Sequence, residues 1–258
     1  MPVNPIGRAR WIAALAALAA LSMPPVADAG VDLRGSVWLT DGRTFAHWAH
    51  PAHIAPVRQR PAGSARPVAR LHYLTEDGFP EVYPVLRRVK ARSGRIWLRI
   101  RVPVRPNGRT GWVRGAALGP LHRVRTRLVV DKRRLRATLY RSGRRIWSSP
   151  VGLGKASTPT PTGRFWIREK FRVGYSGGIY GPRAFGTGAY SRLSDWPGGG
   201  VIGIHGTNQP YLIPGRPSHG CIRIPNGAIR RLYRLTPIGT PMRVLRRNRP
   251  ARRGAIQP

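Results

Sequence analysis

The sequence predicts an all-β protein in which a small β-barrel precedes a β-sandwich with one short helix. Short apolar and β-branched runs alternate with turns rich in Gly, Pro and Asn along most of the chain. Helical spacing occurs at 226–235, where Ile229, Leu232 and Tyr233 fall on one face. With 258 residues and 41% hydrophobic content, the chain can bury one or two cores.

The first 29 residues have the pattern of a secretory signal peptide. Arg8 and Arg10 form a positive start, residues 11–21 are an apolar run, and Ala27-Asp28-Ala29 is a small-residue cleavage site. The run is shorter than the about 20 residues that a membrane span needs. We therefore predict export to the periplasm or cell wall, with no transmembrane segment after signal removal. An uncleaved anchor is the alternative.

Residues 30–56 lack clear periodicity, so we predict a linker there. His47, His50 and His53 recur at intervals of three, which on a helix would form a metal-binding face. Pro51 disfavours a regular helix at this point, and no carboxylate or thiol completes a site. We predict neither a metal nor another cofactor.

Two β-rich regions follow, at 57–119 and 122–246, and a basic tail covers 247–258. The first region has predicted strands at 68–73, 82–89, 96–102 and 111–113, a spacing that suggests a small barrel. The second has predicted strands at 127–130, 135–140, 146–151 and 164–168. A Gly-rich stretch at 175–200 is predicted to loop over the functional site. The helix at 226–235 follows, with Asn226 as its N-cap.

The chemistry centres on Cys221, the one cysteine of the chain. His219 lies two residues before it, and an extended segment would put both side chains on one face. His205 lies sixteen residues upstream, a spacing that suits two short strands side by side. A free thiol with a pKa of about 8.5 needs a base, so we predict Cys221 as nucleophile and His205 as base, resting as a thiolate–imidazolium pair.

Neighbouring glycines complete the predicted site. Gly220 leaves room for a substrate backbone and exposes main-chain N–H groups as oxyanion donors. The carbonyl of Gly206 is predicted to orient His205, with Asp195 as the alternative, because the other downstream acids lie at a turn or a strand end. His219 either donates toward the substrate or shapes the pocket.

The motif at these residues resembles a known family. Ser218-His219-Gly220-Cys221-Ile222-Arg223, preceded by Ile204-His205-Gly206, closely resembles the signature of the YkuD-type L,D-transpeptidases. Residues 151–155 with 158–163, and residues 239–244, are similar to two further segments of that family. The resemblance covers about 124–246. Residues 57–119 resemble a bacterial SH3-like module through the strand Gly111-Trp112-Val113.

The resemblance implies a cysteine acyltransferase of cell-wall synthesis, with Cys221 as nucleophile and His205 as base. Its substrates would be peptidoglycan stem peptides, joined through a thioester intermediate. With water as acceptor, the enzyme would be an L,D-carboxypeptidase. Arg223, Ser218 and Tyr180 are candidate substrate-binding residues.

Two other classes of function are weighed against this one. His205, His219 and Cys221 could form a zinc set with an open position. A wall-binding protein with an inactive site is the second alternative.

The net charge of +37, from 46 Lys and Arg against 9 Asp and Glu, would attract polyanions, and anionic wall polymers are the expected ones. A high-GC genome that encodes Arg often accounts for the larger share of this charge. We predict no specific nucleic-acid partner, because the sequence has no basic helix, zinc-finger spacing or aromatic platform. The sequence gives no indication of oligomeric state.

Overall fold

The computed structural model describes residues 35–175, 177–195 and 197–245. The predicted signal peptide and basic tail lie outside the described residues. The strands of the first region are β1 (Val37–Trp38), β2 (Ala46–Ala49), β3 (Pro56–Arg58), β4 (Pro67–Arg70), β5 (Tyr83–Lys90), β6 (Ile96–Arg101), β7 (Thr110–Arg114) and β8 (His122–Val124). Among the described residues, no helix is both long and apolar enough to cross a membrane.

The second region contains the remaining elements. Its strands are β9 (Thr126–Asp131), β10 (Arg136–Arg141), β11 (Arg144–Pro150), β12 (Gly152–Gly154), β13 (Gly163–Trp166), β14 (Phe171–Arg172), β15 (Arg183–Tyr190), β16 (Val201–His205), β17 (Gly215–Ser218), β18 (Ile222–Arg223) and β19 (Pro241–Leu245). Helix α1 (Asn226–Leu235) is the one α-helix of the described residues. The prediction of an all-β protein with one short helix is therefore confirmed.

The first eight strands form one sheet. Its order is β4-β3-β7-β6-β5-β2-β8, and β1 pairs with β5. The core of this sheet is apolar and includes Leu71, Tyr83, Ile100 and Val113, which are fully buried. Because β4 and β8 end the order of strands, the sheet is open, and the SH3-like module stays a prediction.

The linker predicted at 30–56 is wrong in part, because β1 and β2 lie within it. Strand β2 is anchored by small and aromatic residues: Ala46 and Ala49 are buried, and Trp48 stacks on His122 of β8 at 4.4 Å between ring centroids. Such a strand has no apolar alternation for a sequence pattern to detect. His47 lies on β2 and His50 directly after it, where His50 Nδ1 lies 2.7 Å from the Glu81 carbonyl oxygen, so these histidines are not on a helix.

The second region is a β-sandwich. One sheet has the order β11-β10-β9-β19-β13, and the other has the order β14-β15-β16-β18-β12-β17. Side chains of both sheets and of α1 share one buried core, which includes Leu128, Phe165, Ile204, Ile222 and Leu232. The strands predicted at 127–130, 135–140, 146–151 and 164–168 correspond to β9, β10, β11 and β13. This core fixes β16, which ends at the predicted base His205, and β18, which begins directly after the predicted nucleophile Cys221.

The long loop predicted at 175–200 contains strand β15. Its glycines conceal the strand pattern, since Gly186 and Gly188 contribute no side chain to any periodicity. Their lack of Cβ atoms is required by packing: a Cβ at Gly188 would stand 2.6 Å from the ring of Trp166. The strand therefore owes its place to tertiary contact.

A buried ion pair joins the first sheet to the sandwich. The side chains of Arg168 in the sandwich and Glu81 in the first region are each 2% exposed. Arg168 donates from Nε to Glu81 Oε1 at 2.9 Å and from Nη2 to Glu81 Oε2. Arg168 Nη1 also lies 2.9 Å from Glu76 Oε2. Beside them, Trp166 Nε1 donates to the Val82 carbonyl at 2.8 Å.

We expect Arg168→Ala to lower the free energy of unfolding by about 3–5 kcal/mol, because it leaves the Glu81 carboxylate buried without its partner. The double variant Arg168→Met, Glu81→Leu removes both charges and should recover most of that loss. Urea denaturation of the three proteins measures the difference. Equal destabilisation of the single and double variants would show that the charge of Glu81 is not what the arginine compensates.

Candidate active site

The site is built on two adjacent parallel strands. In their register, Ile204 of β16 lies opposite Ile222 of β18, and His205 lies opposite Arg223. The side-by-side strands predicted from the sequence are therefore present. Alternation along β16 sends Ile202 and Ile204 into the core and leaves Gly203 and His205 on the other face.

Gly203 brings the thiol and the imidazole to one place. Its N–H donates to Cys221 Sγ at 3.4 Å. A Cβ at Gly203 would stand 3.8 Å from both Cys221 Sγ and His205 Cδ2, so the two side chains border the same space. Sequence analysis missed Gly203. The signal for it is a glycine two residues before the histidine on the same strand face.

His205 is held in one tautomer. It is 4% exposed, and its Nδ1 lies 2.6 Å from the Gly206 carbonyl oxygen. A carbonyl only accepts, so Nδ1 carries the proton and Nε2 keeps a lone pair. The hydrogen bond predicted between His205 and Gly206 is thus present, whereas Asp195 lies exposed in a loop.

Asn226 holds the backbone around Gly206. Its Oδ1 accepts the Thr207 N–H at 2.9 Å. The N-cap role predicted for Asn226 is wrong, because the residue before α1 is Pro225 and Asn226 is already helical. Its side-chain amide is hydrogen-bonded to the loop that follows β16 instead. This contact ties the start of α1 to the carbonyl that orients His205.

Gly220 is fixed by a threonine from a distant part of the chain. Thr160 Oγ1 accepts the Gly154 N–H at 2.9 Å and donates to the Gly220 carbonyl at 2.8 Å. Gly220 has φ +130°, and a Cβ there would stand 2.8 Å from Ile202 Cδ1. This bridge gives a structural role to the segment 158–163. The sequence identified that segment only through its resemblance to the family.

The hydroxyl of Ser218 braces the same bend. It accepts the Gly220 N–H at 3.2 Å and donates to the Cys221 carbonyl at 2.6 Å. Ser218 is 2% exposed, so its predicted role in substrate binding is replaced by an internal one. The Gly220 N–H is engaged in this bond, and which main-chain N–H groups serve as oxyanion donors stays a prediction.

His219 does not share a strand face with Cys221. Strand β17 ends at Ser218 and β18 begins at Ile222, so residues 219–221 form a bend instead of an extended segment. His219 is exposed there, whereas Cys221 is half-buried. Across the described part of the chain, no three His, Cys, Asp or Glu residues are placed to hold a metal ion. The three residues weighed as a zinc set are therefore not gathered into a ligand cluster.

Tyr180 and Arg223 border the pair. Tyr180 packs edge-on against His205 at 4.9 Å between ring centroids and is 48% exposed. Arg223 is 8% exposed and donates from Nη1 to Gln209 Oε1 at 3.0 Å. Its buried Nε has no hydrogen-bond partner among the described residues. The site therefore contains a guanidinium with unused donor capacity beside the base.

Burial sets the protonation of the resting pair. It lowers the pKa of His205 to about 4. The hydrogen bond to the Gly206 carbonyl and a weaker one to the Ile179 backbone oppose this shift, and the positive charge of Arg223 adds to it by less than the Gly206 bond opposes it. Burial also raises the pKa of Cys221, although the Gly203 N–H and the Arg223 charge oppose that rise. At neutral pH these directions favour a neutral thiol beside a neutral imidazole. They disfavour the ion pair predicted from the sequence.

The fold and the site define a β-sandwich protein with a cysteine–histidine pair. Residues 125–244, slightly less than half of the chain, match the family model of the L,D-transpeptidase catalytic domain, YkuD. This part of the chain is therefore a YkuD-type L,D-transpeptidase catalytic domain.

Similar proteins agree with this assignment in sequence. The YkuD protein of Bacillus subtilis (strain 168) is 35% identical over 109 residues, which are 42% of this chain and 59% of the relative. ErfK/SrfK of Salmonella typhimurium is 29% identical over 143 residues, 48% of this chain and 45% of the relative. The chain thus spans about half the length of these curated relatives.

Solved structures of L,D-transpeptidases are also similar to part of the chain. The catalytic domain from Enterococcus faecium is 26% identical, covers 46% of this chain and 96% of its own, and has a TM-score of 0.35. An L,D-transpeptidase from Mycobacterium tuberculosis H37Rv is 14% identical, covers 76% of this chain and 98% of its own, and has a TM-score of 0.40.

We expect the His205 ring to titrate near pH 4 in an NMR experiment, because its folded-state pKa is about 4 against an ordinary 6.5. The folded protein then takes up this proton later than the unfolded chain as the pH falls. His205 therefore costs stability on acidification between about pH 6.5 and pH 4.

The same environment predicts slow alkylation of Cys221 by iodoacetamide at neutral pH, with a rate that rises toward alkaline pH. His219→Ala is the matched control and should leave this profile unchanged, because its side chain lies on the exposed bend. An alkylation rate that has already reached its plateau well below pH 8 would show that Cys221 and His205 rest as the ion pair.

Proposed function

We propose that the protein is an exported L,D-transpeptidase that crosslinks peptidoglycan stem peptides through a thioester on Cys221. The observation that carries the proposal is the pairing of Cys221 with His205 above Gly203, with Nδ1 fixed by the Gly206 carbonyl. A lone-pair nitrogen and a thiol facing one space are what thiol acyl transfer requires.

The first half-reaction would cleave the donor stem. Cys221 Sγ attacks the carbonyl carbon of the third residue, a diamino acid, whose peptide bond leads to the terminal D-Ala. The thiol proton passes to Nε2 of His205 as the S–C bond forms, so no free thiolate has to accumulate. The C–N bond then breaks, His205 returns the proton to the amine of D-Ala, and a thioester remains.

The second half-reaction would use an amine of a neighbouring stem. His205 accepts a proton from this amine as its nitrogen attacks the thioester carbonyl, and the sulfur leaves as the thiol after taking the proton back. The product is a crosslink between two third residues. Water in place of the amine would release a tripeptide, which is the L,D-carboxypeptidase reaction.

Arg223 is the proposed contact for a substrate carboxylate. It is buried beside His205, and its guanidinium has an unused Nε–H. A guanidinium binds a carboxylate bidentately, and such charge-assisted bonds are among the strongest available. The terminal carboxylate of the D-Ala lies close to the scissile bond and suits this group. Tyr180, half-exposed against His205, is the proposed wall on the solvent side.

We expect Cys221→Ala to abolish crosslinking of purified muropeptides, as followed by mass spectrometry, because no other thiol exists in the chain. His205→Gln should slow acyl transfer by about 100-fold or more, because it removes the base. His219→Ala should have a much smaller effect, and circular dichroism of each variant checks the fold. Crosslinked product from Cys221→Ala would contradict the mechanism. Tripeptide without crosslinks from the unmodified protein would identify an L,D-carboxypeptidase.

Export predicts a defined amino terminus. Protein recovered from the wall fraction should begin at or near Gly30, since the small-residue site ends at Ala29. Amino-terminal sequencing measures this. Extracellular protein that still carries residues 1–29 would identify the apolar run as an anchor.

A further inference from the structure

A groove rich in arginine lies between the first sheet and the five-stranded sheet of the sandwich. It encloses about 750 Å³, and Trp38, Pro84, Phe165 and Met242 contribute to its apolar walls. Its cationic side chains, which define the arginine groove, are Arg43, Arg99, Arg101, Arg127, Arg164 and Arg243. Asp41 is the one acidic residue among the residues that line it.

The strand pattern gathers these arginines on facing surfaces. Arg99 and Arg101 are two residues apart on β6, so their side chains emerge on the same face. Across the groove, Arg164 of β13 lies directly opposite Arg243 of β19 in an antiparallel pair. Like charges in such a position destabilise a sheet. The fold thus keeps four positive side chains together at a cost in stability.

No carboxylate of the described residues neutralises this charge. None of the six arginines lies within 4.0 Å of a described carboxylate oxygen. Asp41 Oδ1 instead accepts hydrogen bonds from the backbone N–H groups of Arg43 and Thr44, at 2.7 and 2.8 Å.

Arg101 is crowded by like charge, and Arg127 has an unpaired donor. Burial, with the neighbouring charges of Arg164 and Arg99, lowers the pKa of Arg101 to about 10. Arg127 Nε is buried without a hydrogen-bond partner in the described part of the chain. The groove therefore offers unused donors and unbalanced positive charge.

We propose that the arginine groove binds a linear phosphodiester polymer. Guanidinium groups bind phosphate oxygens bidentately, and the groove contains arginine without a single lysine. Six cations, five on strands of the two sheets and Arg43 in the bend between β1 and β2, exceed what one anion would neutralise, so the ligand carries repeated charges. This inference goes beyond the proposed acyl transfer and does not depend on it, since the groove contains neither Cys221 nor His205.

The polymer is inferred to lack nucleobases. Single-stranded nucleic acid is bound by stacking its bases on aromatic rings. In the groove, Phe165 and Trp166 are buried, and Arg87 covers one face of Trp38 at 5.1 Å from the ring centroid. The groove offers no row of open rings. A poly(glycerol phosphate) chain has the required charge without bases.

The test is calorimetric titration of the mature protein with a poly(glycerol phosphate) oligomer at several salt concentrations. Arg164→Gln, Arg243→Gln removes an exposed cross-strand pair and should weaken binding by about tenfold or more, since two charge-assisted contacts are lost. The slope of log K against log salt should fall by about 1 to 2. The matched control, Arg230→Gln, Arg231→Gln, removes the same charge from exposed positions on α1 and should change affinity less than about twofold, as an untouched surface does.

Three results would overturn the proposal. Equal weakening by both pairs would assign binding to the overall charge. Equally tight binding of polyglutamate of matched charge would show that the groove does not prefer phosphate to carboxylate. Tighter binding of a single-stranded oligonucleotide would show that the ligand is a nucleic acid. Thermal unfolding checks both double variants, and the single variant Arg243→Gln, at an exposed position, serves if the pair does not fold. Crosslinking of soluble muropeptides should be unchanged in the groove variants. A failure of the polymer-binding proposal can therefore be distinguished from a failure of the catalytic proposal.

Discussion

The parallel pairing of β16 with β18 is the constraint on which the site depends. It places His205 opposite Arg223 and leaves Gly203 facing the thiol of Cys221. The buried isoleucines on the other face of β16 lock this register, because a one-residue slip would turn them out of the core and turn His205 into it. Asn226, which begins α1, then holds the Gly206 loop in place. Core packing and catalytic geometry are thus enforced by the same two strands.

Scarcity of carboxylates shapes the rest of the molecule. With 46 Lys and Arg against 9 Asp and Glu, few cations can be paired. Glu76 and Glu81 both form ion pairs with Arg168, where the first sheet meets the sandwich. Glu169 is buried beside them, and burial raises the pKa of its carboxyl to about 7. Acidic groups therefore join the two regions, and the arginine groove is left with unbalanced charge.

The charge of Arg223 acts on both partners of the site. Near a buried imidazole, a fixed cation opposes protonation, whereas near a thiol or a developing oxyanion it favours the negative form. A base that stays neutral at physiological pH remains ready to accept the thiol proton. The same guanidinium is the one proposed to bind an anionic substrate group. That proposal would couple the electrostatics of the pair to substrate binding through one residue.

The sequence by itself determined the all-β class and the bounds of α1, which follow from local periodicity. It also singled out Cys221, His205 and the Gly206 carbonyl for the proposed site, through residue chemistry and the resemblance of the motif. Only the tertiary structure decided the strands in 35–56 and at Arg183–Tyr190, the internal bonds of Ser218 and Asn226, and the part played by Gly203 and Thr160. These features rest on contacts between residues far apart in the chain, or on glycines that leave no pattern. The protonation of the pair belongs with them, since burial is a property of the folded chain and not of any motif.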